Sequence, residues 1–192
     1  MQRTLDGVIR RTTDMNEVHF ERHFEAPVEQ LWKFIADPQE LAKWMGGPID
    51  KLELVEGGEV IVQIAPKFGA TASGVVLEYV PGRLLKFTWN VPAWGHTPDL
   101  LGTVMRWEAI ADGSGSKILL THALPYTVGR EHLLAAAWTL HLDQLGELLD
   151  GNDENYTIEH ESVQSLTAQY LEADFDRQRA RYAELLDMGT HA

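Results

Sequence analysis

The side chains best suited to chemistry in this sequence are histidines and indoles. His141 interrupts an apolar stripe formed by Leu134, Trp138, Leu145 and Leu148, one turn after Trp138. An imidazole held against apolar surface can titrate near neutral pH and act as acid, base or hydrogen-bonding partner to a ligand. One backbone carbonyl or water would equally satisfy it as a core residue. Trp94 and His96 lie in the stretch from Asn90 to Leu101, long for a hairpin loop and punctuated by Pro92, Gly95 and Pro98. Such a loop reads as a lid over a ligand, or as a loop packing its Trp on the rim. Trp89 shares a strand face with Phe87 and Leu85, and Met105 shares one with Trp107, by the two-residue alternation of extended chain. Aromatic and thioether side chains suit a flat or irregular apolar ligand, and they suit plain core packing too. Trp44 and Met45 end a short helix, where the mouth of a cavity would lie. The candidate ligand-binding set is Trp44, Trp89, Trp94, His96, Met105, Trp107, Trp138 and His141, and no residue is assigned a catalytic role.

Other chemistries lack their residues. The absence of cysteine removes disulfides, thiolate metal sites and Cys nucleophiles together. His19 and His23 are four apart, but on a strand that separates them by ~13 Å, too far to share an ion. His160-Glu161 has no second His four residues on, so it is not a zinc-protease motif. Gly57-Gly58 and Gly113-Ser114-Gly115 read as hairpin turns, with no Lys-Ser/Thr after them to cradle phosphate. No Gly-x-Ser-x-Gly elbow offers a nucleophilic serine. Neither a metal nor a cofactor is expected.

The elements that must position these groups are readable in order. Thr4 to Arg11 and Glu17 to Phe24 read as an opening hairpin. Ala26-Pro27 starts a short helix, with Pro expected at its first position and Val28, Leu31, Trp32 and Ile35 at helical spacing. Asp37-Pro38-Gln39-Glu40 starts a second helix with a capping box, and Gly46-Gly47-Pro48 stops it. From Ile49 to His122, strands alternate with turn chemistry at Gly57-Gly58, Pro81-Gly82 and Asp112-Gly113, a six-strand antiparallel meander. Val128 to Asp150 is the longest helical pattern. A second amphipathic helix is expected over roughly Ser162 to Asp187, with Tyr170, Leu171, Phe175 and Tyr182 on its apolar side. A curved sheet wrapped around the long helix is the economical way for each to cover the other's apolar face, an α+β helix-grip architecture with room for a cavity. The expected division is a domain over 1–151 and a helical extension over 152–192, packed on that domain or on the partner in a homodimer.

Composition narrows the partners. The 192 residues carry 16 Lys and Arg against 29 Asp and Glu, a net charge of −13 that repels phosphate backbones and anionic lipid surfaces. Neither nucleic acid nor membrane is expected as a partner. No apolar run approaches a membrane span, and Met1-Gln2-Arg3-Thr4-Leu5-Asp6 lacks the apolar stretch of a secretory signal, so a cytoplasmic location is expected.

Several segments carry a family resemblance. Phe20-Glu21-Arg22-His23-Phe24-Glu25-Ala26-Pro27-Val28-Glu29-Gln30-Leu31-Trp32 and Asp37 to Trp44 resemble the opening of the heat-shock ATPase activator (AHSA-type) branch of the START-like, SRPBCC superfamily. Pro81 to Trp89, Met105 to Glu108, Leu119 to His122 and Trp138 to Leu145 are similar to later pieces of the same pattern, in the same order. The resemblance implies a birch-pollen-allergen-like helix-grip fold with a hydrophobic cavity. It leaves function open, because the superfamily spans lipid carriers, polyketide cyclases and stress-chaperone activators. The leading expectation is a binder of a small hydrophobic, aromatic or lipid-like ligand. A cyclase or dehydratase-type enzyme using His141 or His96 as acid and base is the first alternative. A protein-interaction or chaperone-activator module is the second, although eukaryotic activators add a separate N-terminal domain and only 16 residues precede the strand at Glu17 here.

Overall fold

Two-residue alternation of apolar side chains builds most of this molecule. The computed structural model describes residues 7–12, 14–66, 69–93, 99–126 and 130–152, together with Ala180. The chain enters through β1 (Val8–Arg11) and β2 (Met15–Phe24), passes through two short helices, α1 (Val28–Ala36) and α2 (Pro38–Met45), and then forms the expected meander. Its strands are β3 (Ile49–Leu52), β4 (Glu59–Ala65), β5 (Ala70–Val80), β6 (Leu84–Val91), β7 (Leu100–Asp112) and β8 (Gly115–Pro125), followed by the long helix α3 (Glu131–Leu149). The order in the sheet is β1-β2-β8-β7-β6-β5-β4-β3, every pairing antiparallel. The one pairing that departs from sequence order zips β2 against β8, from Met15 opposite Pro125 to Phe24 opposite Ser116. The result is a curved, open sheet gripping a helix.

Register decides which side chains meet on the gripping face. Phe87 stands opposite Met105, Leu85 opposite Trp107, Met105 opposite His122 and Trp107 opposite Leu120. All six are buried, so the face toward α3 is aromatic and aliphatic across three central strands. The helix meets it through Ala135, Trp138, Leu142, Leu145 and Leu149. That stripe is turned slightly from the expected one, since Leu134 and His141 are only half-buried. Ala135 and Ala136 are completely buried, whereas the equally small Ala137 beside them is half-buried, so the facing of the helix and not side-chain size sets which side is covered.

The short helices close one end. Pro27 stands at the N-cap of α1, one position earlier than expected, while Pro38 fills the first turn of α2 after Asp37, whose carboxylate accepts from the N–H of Gln39 at 2.8 Å. Glu40 does not complete a capping box; its carboxylate pairs with Lys33 at 2.7 Å and Lys43 at 2.8 Å. Gly46 ends α2 in the left-handed region at φ 90°, and at Gly47 a β-carbon would lie 2.0 Å from the Gln63 carbonyl oxygen, so the exit from α2 toward β3 is built for glycine. Opposite α2, the Arg22 guanidinium of β2 holds Asp143 of α3 at 2.6 Å. The β6–β7 connection runs over 92–99, and the lid expected of Trp94 and His96 lies outside the described residues. So do Val128 and, apart from the exposed and helical Ala180, the expected tail helix. Among the described residues no helix is long and apolar enough to cross a membrane.

Trp138 is the bulkiest side chain that α3 presents to the sheet, and it is 4% exposed. Trp138→Ala is expected to lower stability by roughly 3 to 5 kcal/mol in reversible urea unfolding. A loss below about 1 kcal/mol would mean that α3 is not the element the sheet is built around.

Candidate functional site: an aromatic face with two histidines

Three indoles from three layers meet at the centre of the core. Trp107 of β7 packs with Trp44 of α2 at a ring separation of 5.4 Å and meets Trp138 of α3 edge-on at 6.1 Å. Phe87 of β6 lies edge-on to Trp107 at 5.0 Å and to Trp89 at 5.9 Å, and His141 stands 5.4 Å from Trp138. Edge-to-face geometry directs the positive ring edge at the negative ring face, which adds specificity to burial. Of the candidate residues, Trp44, Trp89, Met105, Trp107 and Trp138 are all buried in one continuous core, and His141 stands against it. Trp94 and His96 cannot be placed, since they lie outside the described residues.

His141 owes its position to the end of α2. The last carbonyls of a helix have no partner within it. Here α3 supplies the partners, with His141 Nδ1 donating to the Trp44 carbonyl at 2.6 Å and Gln144 Nε2 donating to the Lys43 carbonyl. The Trp44 indole in turn donates to the Phe34 carbonyl at 2.9 Å, tying α2 to α1. A carbonyl can only accept, so the proton of His141 resides on Nδ1. Burial pushes the ring below its ordinary pKa, against the opposing pull of the Trp44 carbonyl. His141 is therefore neutral at pH 7 and carries a lone pair on Nε2, to which no described residue bonds. This single carbonyl partner is what a core histidine needs, and the second nitrogen is left over.

A second histidine, this one fully buried, went unselected in the sequence. His122 of β8 is 0% exposed and lies between Trp138 and Thr103 of β7. The Trp138 indole donates to Nδ1 at 3.0 Å, Nε2 is 3.0 Å from the Thr103 hydroxyl, and that hydroxyl donates to the Trp89 carbonyl. Since an indole only donates, Nδ1 must be the acceptor and Nε2 carries the proton. The relay from Trp138 through His122 and Thr103 to Trp89 thus runs in one direction and leaves no nitrogen of His122 unused. Burial drives this histidine down to about 3, which matches the neutral form the relay requires. The signal for it was present: Ile118, Leu120 and Leu124 are the inward residues of β8, and two-residue alternation places His122 with them.

An open antiparallel sheet gripping a long helix, with an aromatic concave face, defines a helix-grip protein. The chain belongs to the family described as Activator of Hsp90 ATPase homolog 1-like protein, whose model matches residues 25–150. Solved structures repeat the fold across nearly the whole chain. CalU16 from Micromonospora echinospora is similar with a TM-score of 0.67 at 20% identity, covering 94% of this chain and 97% of its own. EF2215 from Enterococcus faecalis, a conserved protein of unknown function, reaches a TM-score of 0.70 at 16% identity over 96% of this chain and 92% of its own. DynU16, a protein of the dynemicin biosynthetic locus, matches 71% of this chain and 48% of its own length, at 20% identity and a TM-score of 0.60. No curated protein matches the sequence.

The neutral relay makes stability depend on pH. Above its ordinary pKa of 6.5, His122 is uncharged whether folded or not. Below it, the unfolded chain takes up a proton that the folded chain refuses until about pH 3, so stability falls with acid across that window. Between pH 7 and pH 5 the loss from this group is expected to be about 2 kcal/mol. His122→Gln retains a donor and an acceptor but cannot take a proton, and urea unfolding of this variant should show a correspondingly flatter pH profile. An unchanged profile would remove His122 as the cause.

Proposed function

We propose that this protein binds a small hydrophobic molecule, aromatic or lipid-like, against the face formed by Trp44, Trp89, Met105, Trp107 and Trp138, with His141 orienting it. The observation that carries the reading is His141 itself: a neutral, tautomer-fixed imidazole beside Trp138 whose Nε2 is left with a lone pair. A ligand hydroxyl or N–H would donate to that nitrogen, while apolar burial would supply affinity at roughly 25 cal/mol per Å² before association costs. Membership of the family and the likeness to helix-grip structures support the choice of a binding face inside the grip, where such a fold encloses its ligands. The same lone pair is what a general base would offer, so an acid–base enzyme acting on a bound aromatic molecule is the second reading.

The buried indoles provide the test. In a titration followed by intrinsic tryptophan fluorescence, aromatic metabolites and fatty acids are expected to quench or shift the emission. His141→Leu should weaken ligands that carry a hydroxyl or N–H by about tenfold and leave purely apolar ones within about twofold. Turnover of a bound compound that is lost in His141→Leu would favour the enzyme. No response to any hydrophobic compound at high micromolar concentration would sink the binding reading and favour an interaction module.

A further inference from the structure

Of the three indoles that meet in the core, two have acceptors within the protein and the third has none among the described residues. Trp44 donates to the Phe34 carbonyl and Trp138 to His122, at 2.9 and 3.0 Å. Trp107, 1% exposed on the middle of β7, has its Nε1 buried with no hydrogen-bond partner among the described residues. A buried donor left unmade costs more than an ordinary hydrogen bond returns, so native interiors rarely leave one. Its nearest aromatic neighbours, Phe87 and Trp44, stand 5.0 and 5.4 Å away, and an aromatic ring returns only a small part of a true acceptor's worth.

We infer that Trp107 Nε1 is the point at which this protein reads an oxygen of its ligand, and that the ligand is an uncharged carbonyl compound on an aromatic or otherwise apolar frame. The inference rests on the binding reading above and narrows it. No described residue accepts from Trp107 Nε1, whose ring packs with those of Trp44, Phe87 and Trp138, so on this inference the acceptor belongs to the ligand. It must also be uncharged. A carboxylate brought against Trp107 would be stripped of water with no cation to meet it, since His141 is held neutral and the neighbouring Arg106 is engaged with Glu108 at 2.6 Å. A ketone, aldehyde, ester or quinone oxygen accepts a hydrogen bond without that desolvation cost. Trp107 would thus donate at one point of the ligand and His141 accept at another, which fixes orientation as well as class.

A matched pair of probes isolates the oxygen. 2-Acetylnaphthalene and 2-ethylnaphthalene share shape and differ in one carbonyl. The ratio of their affinities, compared between the native protein and Trp107→Phe, cancels their different hydrophobicity. The preference for the acetyl compound is expected to fall about tenfold in Trp107→Phe, equivalent to ~1.4 kcal/mol, and any change in packing common to both probes cancels in the ratio. An unchanged ratio overturns the inference and leaves the binding reading intact, whether the donor is then met by an internal water or by a ring face. Failure of both probes to bind the native protein overturns the reading and the inference together. Should Trp107→Phe not fold, the native protein gives the answer by NMR. The Trp107 indole proton moves downfield with 2-acetylnaphthalene and not with 2-ethylnaphthalene if the inference holds, and responds alike to both if it is wrong.

Discussion

The rest of the molecule hangs on the burial of Trp107 between sheet and helices. From the middle of β7 it touches α2 through Trp44, α3 through Trp138 and the next strand through Phe87. None of these partners is free to move alone. Trp44 is held by the Phe34 carbonyl and carries the carbonyl that fixes His141, and Trp138 is pinned to the sheet by His122. A shift of either helix would break a buried hydrogen bond as well as a packing contact. Since a broken buried bond costs its full desolvation, the helices are docked with a directional precision that burial of hydrocarbon alone does not give.

Charge is kept off this face by arrangement. The chain bears a net −13, yet the ion pairs that are present belong to the outer surface and the flanks. Lys117 bridges to Glu21 across β8 and β2, and Glu108 takes both Arg83 and Arg106, which hold its carboxyl below the usual carboxylate range although burial works the other way. The exposed Lys117–Glu21 pair contributes little stability, and its place across neighbouring strands suits it better to favouring one register than to holding the sheet together. Around the indole cluster the buried polar groups are indoles, hydroxyls and imidazoles, while the buried carboxyl of Glu131 at the start of α3 accepts from the Asn16 amide of β2.

Alternation along single strands and helical spacing carry most of the architecture, which is why the hairpin, the two short helices, the meander and the long helix follow from the sequence with boundaries moved by a few residues. The inward sides of β6 and β7 are equally readable, and they place Trp89, Met105 and Trp107 together. What escapes is whatever depends on contacts between elements distant in sequence. Nothing local says that α3 buries Ala135 and Ala136 and leaves His141 half-buried. Nothing local says that His141 and Gln144 cap a helix about a hundred residues earlier. Glu40 looks like half of a capping box, and two lysines outcompete the backbone for it. His122 escapes for a different reason. A polar residue at the end of an apolar alternation reads as the strand leaving the core, whereas Thr103 and Trp138 supply the partners that let the alternation continue through it.

The contrast between the two histidines bears on whether this face recognises or reacts. His122 has both nitrogens committed and a pKa driven to about 3, so it serves as a fixed strut. His141 has one nitrogen uncommitted, but the group that orients it is a peptide carbonyl. In histidine bases a carboxylate behind the ring stabilises the imidazolium as the proton arrives and holds the pKa near the working pH. Asp143, two residues on along the same helix, is directed instead to Arg22 on β2 at 2.6 Å. With burial acting against the charged form and only a dipole opposing it, His141 is a poor place to lodge a proton and a good place to receive a hydrogen bond. That asymmetry favours recognition of a neutral ligand over proton abstraction from it.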